Sequence, residues 1–234
     1  MNVVIVKAGG VGSRMGASVP KQFVLVDNKP VIIYTLEAFE NHPNIDEIVV
    51  VCVKGWEDNL RKYAERFHIT KLTRIVPGGE TSLKSIKNGI EALDGFSDDD
   101  VVLIHDANRP LVTQEIISDV LAQAEVHGMA VAAIPCNDEV AVIDSTSEES
   151  QSNRFVNHKE LIRIQTPDAY SLGMVRKLFS DATEEQLMTI GATNVLAILM
   201  GYTMHFAMGA ETNIRLTTQD DITLFEAIFK ARNR

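Results

Sequence analysis

Apolar residues fall along the chain in short, nearly unbroken runs separated by longer stretches of helical period. The runs at 3–6 (VVIV), 47–53 (EIVVVCV), 74–76 (RIV), 101–105 (VVLIH) and 131–135 (VAAIP) are rich in β-branched residues. Continuous runs of this kind predict strands covered on both faces, as in a parallel sheet. Between them the period lengthens. A helix is expected over about 30–41, with Pro30 in its first turn and Ile33, Leu36 and Phe39 on one side. Two more are expected at 59–67 and 82–93. Thr113 reads as the N-cap of a helix whose stripe is Ile116, Ile117, Val120, Leu121 and Ala124. The last helix opens at Thr218-Gln219-Asp220-Asp221, close to a capping box, and buries Ile222, Phe225, Ile228 and Phe229. Alternating β and α elements predict a single α/β domain over 1–234, a doubly wound, mostly parallel sheet.

Residues 137–164 break that rhythm. Val140 to Ile143 and Arg154 to Val156 flank a polar STSEESQSN stretch. Two apolar flanks around a polar turn predict a protruding β-arm, an arrangement suited to contact between two copies of the chain. A solvated loop is the other reading.

Composition narrows the partners. Apolar residues are 45% of the 234, enough for a full core, and the net charge is −10. A basic face is expected of a nucleic-acid binder, so nucleic acid is excluded and an anionic ligand must be held by a local basic cluster. Cys52 and Cys136 lie in no CxxC or Cys/His pattern, which points to buried thiols in a reduced, cytoplasmic setting. Met1 leads straight into a strand-like run, so no signal peptide is expected. No apolar stretch approaches the ~18 residues of a membrane span.

Ligands of open α/β sheets bind beyond the carboxyl ends of the strands, so the residues after each strand carry the chemistry. After the first come Gly9, Gly10, Gly12, Arg14 and Gly16, then Pro20-Lys21-Gln22. Glycines allow close backbone approach, successive N–H groups form an anion nest, and arginine adds a fork matched to phosphate. A tight strand–helix connection explains the glycines alone; Arg14 and Lys21 favour a polyphosphate site. After the third strand, Pro77-Gly78-Gly79-Glu80-Thr81-Ser82 reads either as a wall for a nucleobase and ribose or as an ordinary turn and N-cap. Asp106 ends the fourth strand, where a carboxylate facing a phosphate loop is placed to hold Mg²⁺; an ion pair with Arg109 is the alternative. Arg215, just before the last helix, is either a ligand for a second phosphate or a surface arginine. The six histidines show no metal spacing, and the methionines read as packing.

Taken together, AGGVGSRMG with PKQF, PGGE…SIKNGI, IHDANRPLV, QTPDAY and ETNIRLTTQDD resemble, in order and over nearly the whole chain, the cytidylyltransferases that join CTP to a polyol phosphate. That family includes methylerythritol-4-phosphate and ribitol-5-phosphate cytidylyltransferases. The resemblance implies a Rossmann-like nucleotidyltransferase in which the acceptor's phosphate oxygen attacks the α-phosphorus of CTP and pyrophosphate leaves. It implies nucleotide contacts from Ala8, Gly9, Gly10, Gly12, Gly78, Gly79, Ser85 and Asp106, with Asp106 also holding Mg²⁺. Arg14, Lys21 and Arg215 are the implied catalytic cations. Arg109 is implied at the acceptor, with Glu139, His158 and Lys159 at positions of the acceptor arm, and 137–164 as the homodimer contact.

Several positions depart from that family's pattern. Ser82 stands where an arginine usually touches CTP. Glu139 replaces a threonine, and His158 an arginine supplied by a partner subunit. Arg215 replaces a lysine, and Thr189-Ile190-Gly191-Ala192 lacks the usual acids. Glu139 would repel a second phosphate unless paired with His158 or Lys159. Lys7, just before the glycine loop, replaces leucine or proline; it can reach phosphate, pair with Asp106, or snorkel outward. The spacing from QTPDAY through ATEEQLMTIGATN resembles that of the ribitol-phosphate enzymes, which implies a pentitol phosphate such as ribitol 5-phosphate as acceptor. Methylerythritol 4-phosphate is the alternative acceptor, UTP or GTP an alternative donor, and a lapsed nucleotide-binding protein a further alternative.

Overall fold

In the computed structural model residues 1–10, 19–144 and 151–232 are described. Strand β1 (Asn2–Ala8) leads to a 3-10 turn (Lys21–Phe23), the small hairpin β2 (Leu25–Val26) and β3 (Lys29–Pro30), and helix α1 (Val31–Glu40). Then come β4 (Glu47–Cys52), α2 (Glu57–Arg66), β5 (Leu72–Pro77), α3 (Ser82–Glu91), β6 (Val101–Asp106), α4 (Gln114–His127) and β7 (Met129–Pro135). Strands β8 (Val140–Val142) and β9 (Arg154–Val156) are followed by β10 (Ile162–Ser171). The chain ends through α5 (Leu172–Asp181), α6 (Glu184–Thr189), α7 (Thr193–Leu199), β11 (His205–Met208) and α8 (Gln219–Arg232). Among the described residues no helix is long and apolar enough to cross a membrane.

All five expected strands form, and they share one seven-stranded sheet of order β11-β7-β10-β6-β1-β4-β5. Neighbours β1, β4, β5 and β6 run parallel, as do β7 and β11, whereas β10 runs antiparallel between β6 and β7. The period-2 alternation of a strand divides its side chains between two faces. Val4, Val6, Ile48, Val50 and Leu103 pack against α1, α2 and α4 on one side. Val3, Ile5, Val49, Val51, Val102 and Ile104 pack against α3, α5 and α7 on the other. Both faces of β1, β4, β6 and β7 are covered, as their unbroken apolar runs predicted; the run at 74–76 falls instead in β5, an edge strand none of whose residues is fully buried. A smaller cluster of Val26, Val31, Tyr34, Ile222 and Phe225 seats α8 against the β2–β3 hairpin.

Local signals hold at the helix ends. Thr113 caps α4 by accepting from the Ile116 N–H. Thr218 and Asp221 exchange reciprocal side-chain bonds, a capping box with aspartate in the glutamate's place. Pro30 sits one residue before α1, at its N-cap rather than in its first turn.

The arm needs a correction. Val140–Val142 and Arg154–Val156 pair as an antiparallel hairpin, as expected. Residues 162–164, counted with the arm, belong instead to the central sheet, where they pair with Pro135 to Ala133 of β7. Neither β10 nor β11 was signalled by the pattern. In β10 the polar stretch Arg163, Gln165, Thr166 and Asp168 and an internal proline hide a strand that lies in the middle of the sheet.

Candidate active site

The glycine loop leaves the end of β1 and is pinned by the segment that follows it. Gln22 is buried in the 3-10 turn, and its amide donates to the carbonyls of Ala8 (2.6 Å) and Gly10 (3.1 Å). Phe23 next to it stacks on Trp56 with ring centroids 4.6 Å apart. This anchor fixes Lys21 at the wall of a cleft. Gln22 was visible in the PKQF motif, but its structural role was not.

The second glycine pair closes on the first. A Cβ on Gly78 would lie 3.4 Å from the Gly9 Cα, in ordinary van der Waals contact, so the two glycine segments lie close together. A Cβ on Gly79 would lie 2.7 Å from the Lys84 Cβ, closer than real atoms approach. The Ser85 hydroxyl accepts from the Gly79 N–H (3.0 Å) and donates to the Thr81 carbonyl (2.8 Å). Thr81 caps α3 and also donates to the Leu187 carbonyl. The turn-and-cap reading of this segment is therefore correct, and the capped turn also faces the cleft.

That cleft encloses about 370 Å³. Its walls include Ala8, Gly9, Gly10, Lys21, Gly79, Ser82, Ser85, Asp106 and Arg215, with Lys7 among them. Most of the residues expected to hold a nucleotide thus converge. Arg14 and Gly12 lie outside the described residues.

Asp106 is the electrostatic centre. Lys7 and Asp106 stand side by side on paired strands, their Nζ and Oδ1 atoms 2.9 Å apart. Arg109 Nε lies 3.5 Å and an Arg215 guanidinium nitrogen 3.9 Å from Oδ2. The ion-pair reading of Asp106 holds, since it pairs with Arg109, and its carboxylate also lines the cleft with Gly9 and Gly10. Burial would push its carboxyl up, but Lys7 and Arg109 outweigh burial and hold it well below the usual range. The next strand brings in Asp168, buried and bonded by the Tyr170 hydroxyl; its burial raises its carboxyl to about 6. Burial acts to lower the Lys7 ammonium, yet Asp106 and Asp168 together move it above its ordinary value.

Arg215 owes its position to the loop after β6. Asn108 donates its side-chain amide to the Leu216 carbonyl and accepts the Leu216 N–H at its own carbonyl. The segment before α8 is thereby held against the Asp106 turn. His105, fully buried, contacts the Arg109 carbonyl through Nε2 at 3.1 Å, and burial lowers its pKa to about 3, so the ring is neutral. With that ring neutral, Nε2 carries the proton and donates.

A second cleft of about 350 Å³ adjoins the first at Arg215. Arg109, Arg163, Gln165, Glu211, Asn213, Thr217 and Asp221 line it. Arg163 and Glu211 form an ion pair across it. Gln165 belongs to a bulge: Ile164 opposes Ala133 while Asp168 opposes Val131, so β10 carries extra residues between them. In that bulge Gln165 and Thr166 bond Ala210, Asn213 and the Asp106 N–H. Arg163 was not anticipated, and Gln165 and Glu211, though they open the QTPDAY and ETNIRLTTQDD motifs, were given no role, because nothing local marks the end of an irregular antiparallel strand as a cleft wall. Glu139, His158 and Lys159 sit on the arm, away from both sets of cleft walls. The suspected Glu139–His158 pairing is present but long, at 3.7 Å, and Glu139 is 76% exposed.

A mostly parallel sheet with paired glycine loops, fixed cations and a strand-end carboxylate facing one cleft is the construction of an α/β nucleotidyltransferase. A family model described as 2-C-methyl-D-erythritol 4-phosphate cytidylyltransferase matches residues 2–231. The chain belongs to this family and is a cytidylyltransferase. It is 40% identical, over 99% of both chains, to a ribitol-5-phosphate cytidylyltransferase of Lacticaseibacillus paracasei. It is 39% identical to one of Vibrio parahaemolyticus, covering 97% of this chain and 95% of that one. A 2-C-methyl-D-erythritol 4-phosphate cytidylyltransferase of Alkaliphilus metalliredigens is 32% identical over 98% of this chain and 93% of its own. Among solved structures, the Anaerococcus prevotii 4-diphosphocytidyl-2C-methyl-D-erythritol synthase superposes with a TM-score of 0.81 at 25% identity, covering 98% of this chain and 96% of that one.

Proposed function

We propose that the protein transfers the cytidylyl group of CTP to ribitol 5-phosphate, giving CDP-ribitol and pyrophosphate. The carrying observation is the pair of abutting clefts that share Arg215, one walled by glycine loops and one by Arg109 and Arg163. Full-length identity of 40% and 39% to ribitol-5-phosphate cytidylyltransferases supports that acceptor over methylerythritol 4-phosphate.

In this reading the triphosphate lies on the first glycine loop, beside Lys21, with Ser85 and the Gly78–Gly79 turn against the cytidine. The acceptor phosphate rests between Arg109 and Arg215. One of its oxygens forms the new bond to the α-phosphorus as the α–β bridging bond breaks, and its electron pair leaves with pyrophosphate. A phosphate monoester is already anionic at neutral pH, so no general base is needed. The chain contributes position and positive charge. Lys21 and Arg215 neutralise charge on the leaving and attacking groups, and Arg14 is assigned the same role.

Magnesium fits this site under one condition. Mg²⁺ takes one or two protein carboxylates and completes its shell with phosphate oxygens and water. Asp106, held anionic, supplies one such carboxylate; the remaining ligands would come with the triphosphate. When bound, the ion supplies further charge neutralisation at the phosphates. The condition is that it shares Asp106 with Lys7.

We further propose that the β8–β9 arm joins two copies of the chain, so that Glu139, His158 and Lys159 reach the partner's acceptor cleft. Phe155 on the arm is 68% exposed and Ile143 is 64% exposed, apolar surface that a second copy would cover. The two buried thiols are unpaired, in keeping with a cytoplasmic enzyme. The test measures pyrophosphate release with CTP, UTP or GTP against ribitol 5-phosphate and methylerythritol 4-phosphate. CTP with ribitol 5-phosphate should give the highest kcat/KM. Preference for methylerythritol 4-phosphate would replace the acceptor, and CTP binding without turnover on any acceptor would sink the enzymatic assignment.

A further inference from the structure

Lys7 is the one charged side chain of β1, and the strand brings it to the floor of the nucleotide cleft. Its ammonium is 2.9 Å from Asp106 Oδ1, and its side chain is 19% exposed. The guanidinium groups of Arg109 and Arg215 approach the other carboxylate oxygen, at 3.5 and 3.9 Å. With leucine or proline at position 7, Oδ1 would be left to an incoming cation. Here it already has one. An ammonium is a compact point charge with three donors. One donor on Asp106 leaves others for oxygens of a ligand lying in the same cleft.

We propose that Lys7 is a resident counter-cation of the triphosphate site: it shares Asp106 with the divalent metal, so that CTP binding depends less on metal than in a site with an apolar residue here. The proposal rests on the nucleotide reading of the cleft. Without metal, the Lys7 ammonium supplies positive charge beside the phosphates. With metal, the same ammonium competes for Oδ1 and lowers the benefit of the ion. Both effects narrow the gap between metal-free and metal-loaded binding.

Titration calorimetry of CTP with the full chain, in excess Mg²⁺ and in EDTA, measures that gap as a ratio of affinities. In Lys7→Leu the ratio should grow by about tenfold or more over wild type, mainly through weaker binding in EDTA. Lys7→Met, unbranched and adaptable, should do the same and serves if the leucine variant fails to fold. Lys7→Arg, which keeps the charge, should hold the ratio near the wild-type value. An unchanged or smaller ratio in the neutral variants, with CTP still bound, overturns the proposal. So does a wild-type ratio already above about a hundredfold, a result that needs no variant. If wild type binds no CTP in either condition, the nucleotide reading itself falls, and this proposal falls with it.

Discussion

The two clefts are built on different halves of one sheet, and they differ in how they are made. The nucleotide cleft stands at the carboxyl ends of the parallel strands β1, β5 and β6, with Lys21 carried by the turn after the glycine loop. Each wall follows its strand at once in the sequence. The neighbouring cleft is walled by the irregular antiparallel β10, by 211–217 and by the start of α8. Its residues converge only through long-range ties such as Asn213 to Thr166 and Arg163 to Glu211. A half made of local units keeps its chemistry under substitution, because each loop is specified by its own few residues. A half made of long-range ties can be retuned one residue at a time. The departures from the family pattern fall on both sides: Lys7 and Ser82 line the nucleotide cleft, Arg215 lines both clefts, and Glu139 and His158 lie on the arm, outside either set of walls.

Four substitutions test the contrast. The largest effect is expected from Lys21→Ala. If the ammonium acts mainly on the transition state, kcat should fall by about 10²–10³-fold while CTP affinity changes less than about tenfold. Equal losses in both would move Lys21 into ground-state binding. Gly79→Ala comes next: its methyl would collide with Lys84, so the turn must shift and CTP affinity should fall by about tenfold or more. Calorimetry would show it, and near-wild-type binding would mean that the turn does not touch the nucleotide. On the other side, Arg163→Ala leaves Glu211 facing the acceptor. The acceptor KM should rise by roughly three- to tenfold with the CTP KM unchanged; a matching rise for CTP would show that the clefts are not separate.

The smallest effect is a pH slope. Burial raises the Asp168 carboxyl from its ordinary 3.8 to about 6, so the folded chain keeps a proton that the unfolded chain has released. Its contribution to stability is complete below about pH 4 and is lost as the pH rises to about 6. Asp168→Asn removes that loss. The Tm of the variant relative to wild type should therefore climb between about pH 4 and pH 6 and level off above. A flat difference across that range would place the Asp168 carboxyl at its ordinary value.

Legibility in the sequence follows the same division. Strands covered on both faces announce themselves as apolar runs, as β1, β4, β6 and β7 did, and the shorter run of the edge strand β5 was also legible as a strand. The Thr113 and Thr218 caps were equally plain, since a cap is a relation among four neighbouring residues. Ala8, Gly9, Lys21, Asp106 and Arg215 could be placed together because they lie at or near the ends of elements at one end of the sheet, whereas Ser85, inside α3, was implied by the family resemblance alone. β10 was hidden, because Gln165, Thr166 and Asp168 turn polar atoms toward partners that are distant in sequence. Only the pairing with β6 and β7 makes them strand residues. The Arg163–Glu211 pair stayed unseen for the same reason: its members are 48 residues apart, and although Glu211 opens the ETNIRLTTQDD motif, nothing in that motif points to Arg163.

Gln22 gives the glycine loop a sign. A flexible backbone offers carbonyl oxygens as readily as amide hydrogens, and a triphosphate is repelled by the first as strongly as it is drawn by the second. By taking up the carbonyls of Ala8 and Gly10, one buried amide removes two negative ends from the competition. At Ala8 and Gly10 the loop's entry is thereby rectified, its carbonyls occupied before any ligand arrives. An apolar residue of the same size at 22 would leave Gly9 and Gly10 in the sequence and still spoil the entry to the cradle, because the carbonyls of Ala8 and Gly10 would lose the amide that holds them.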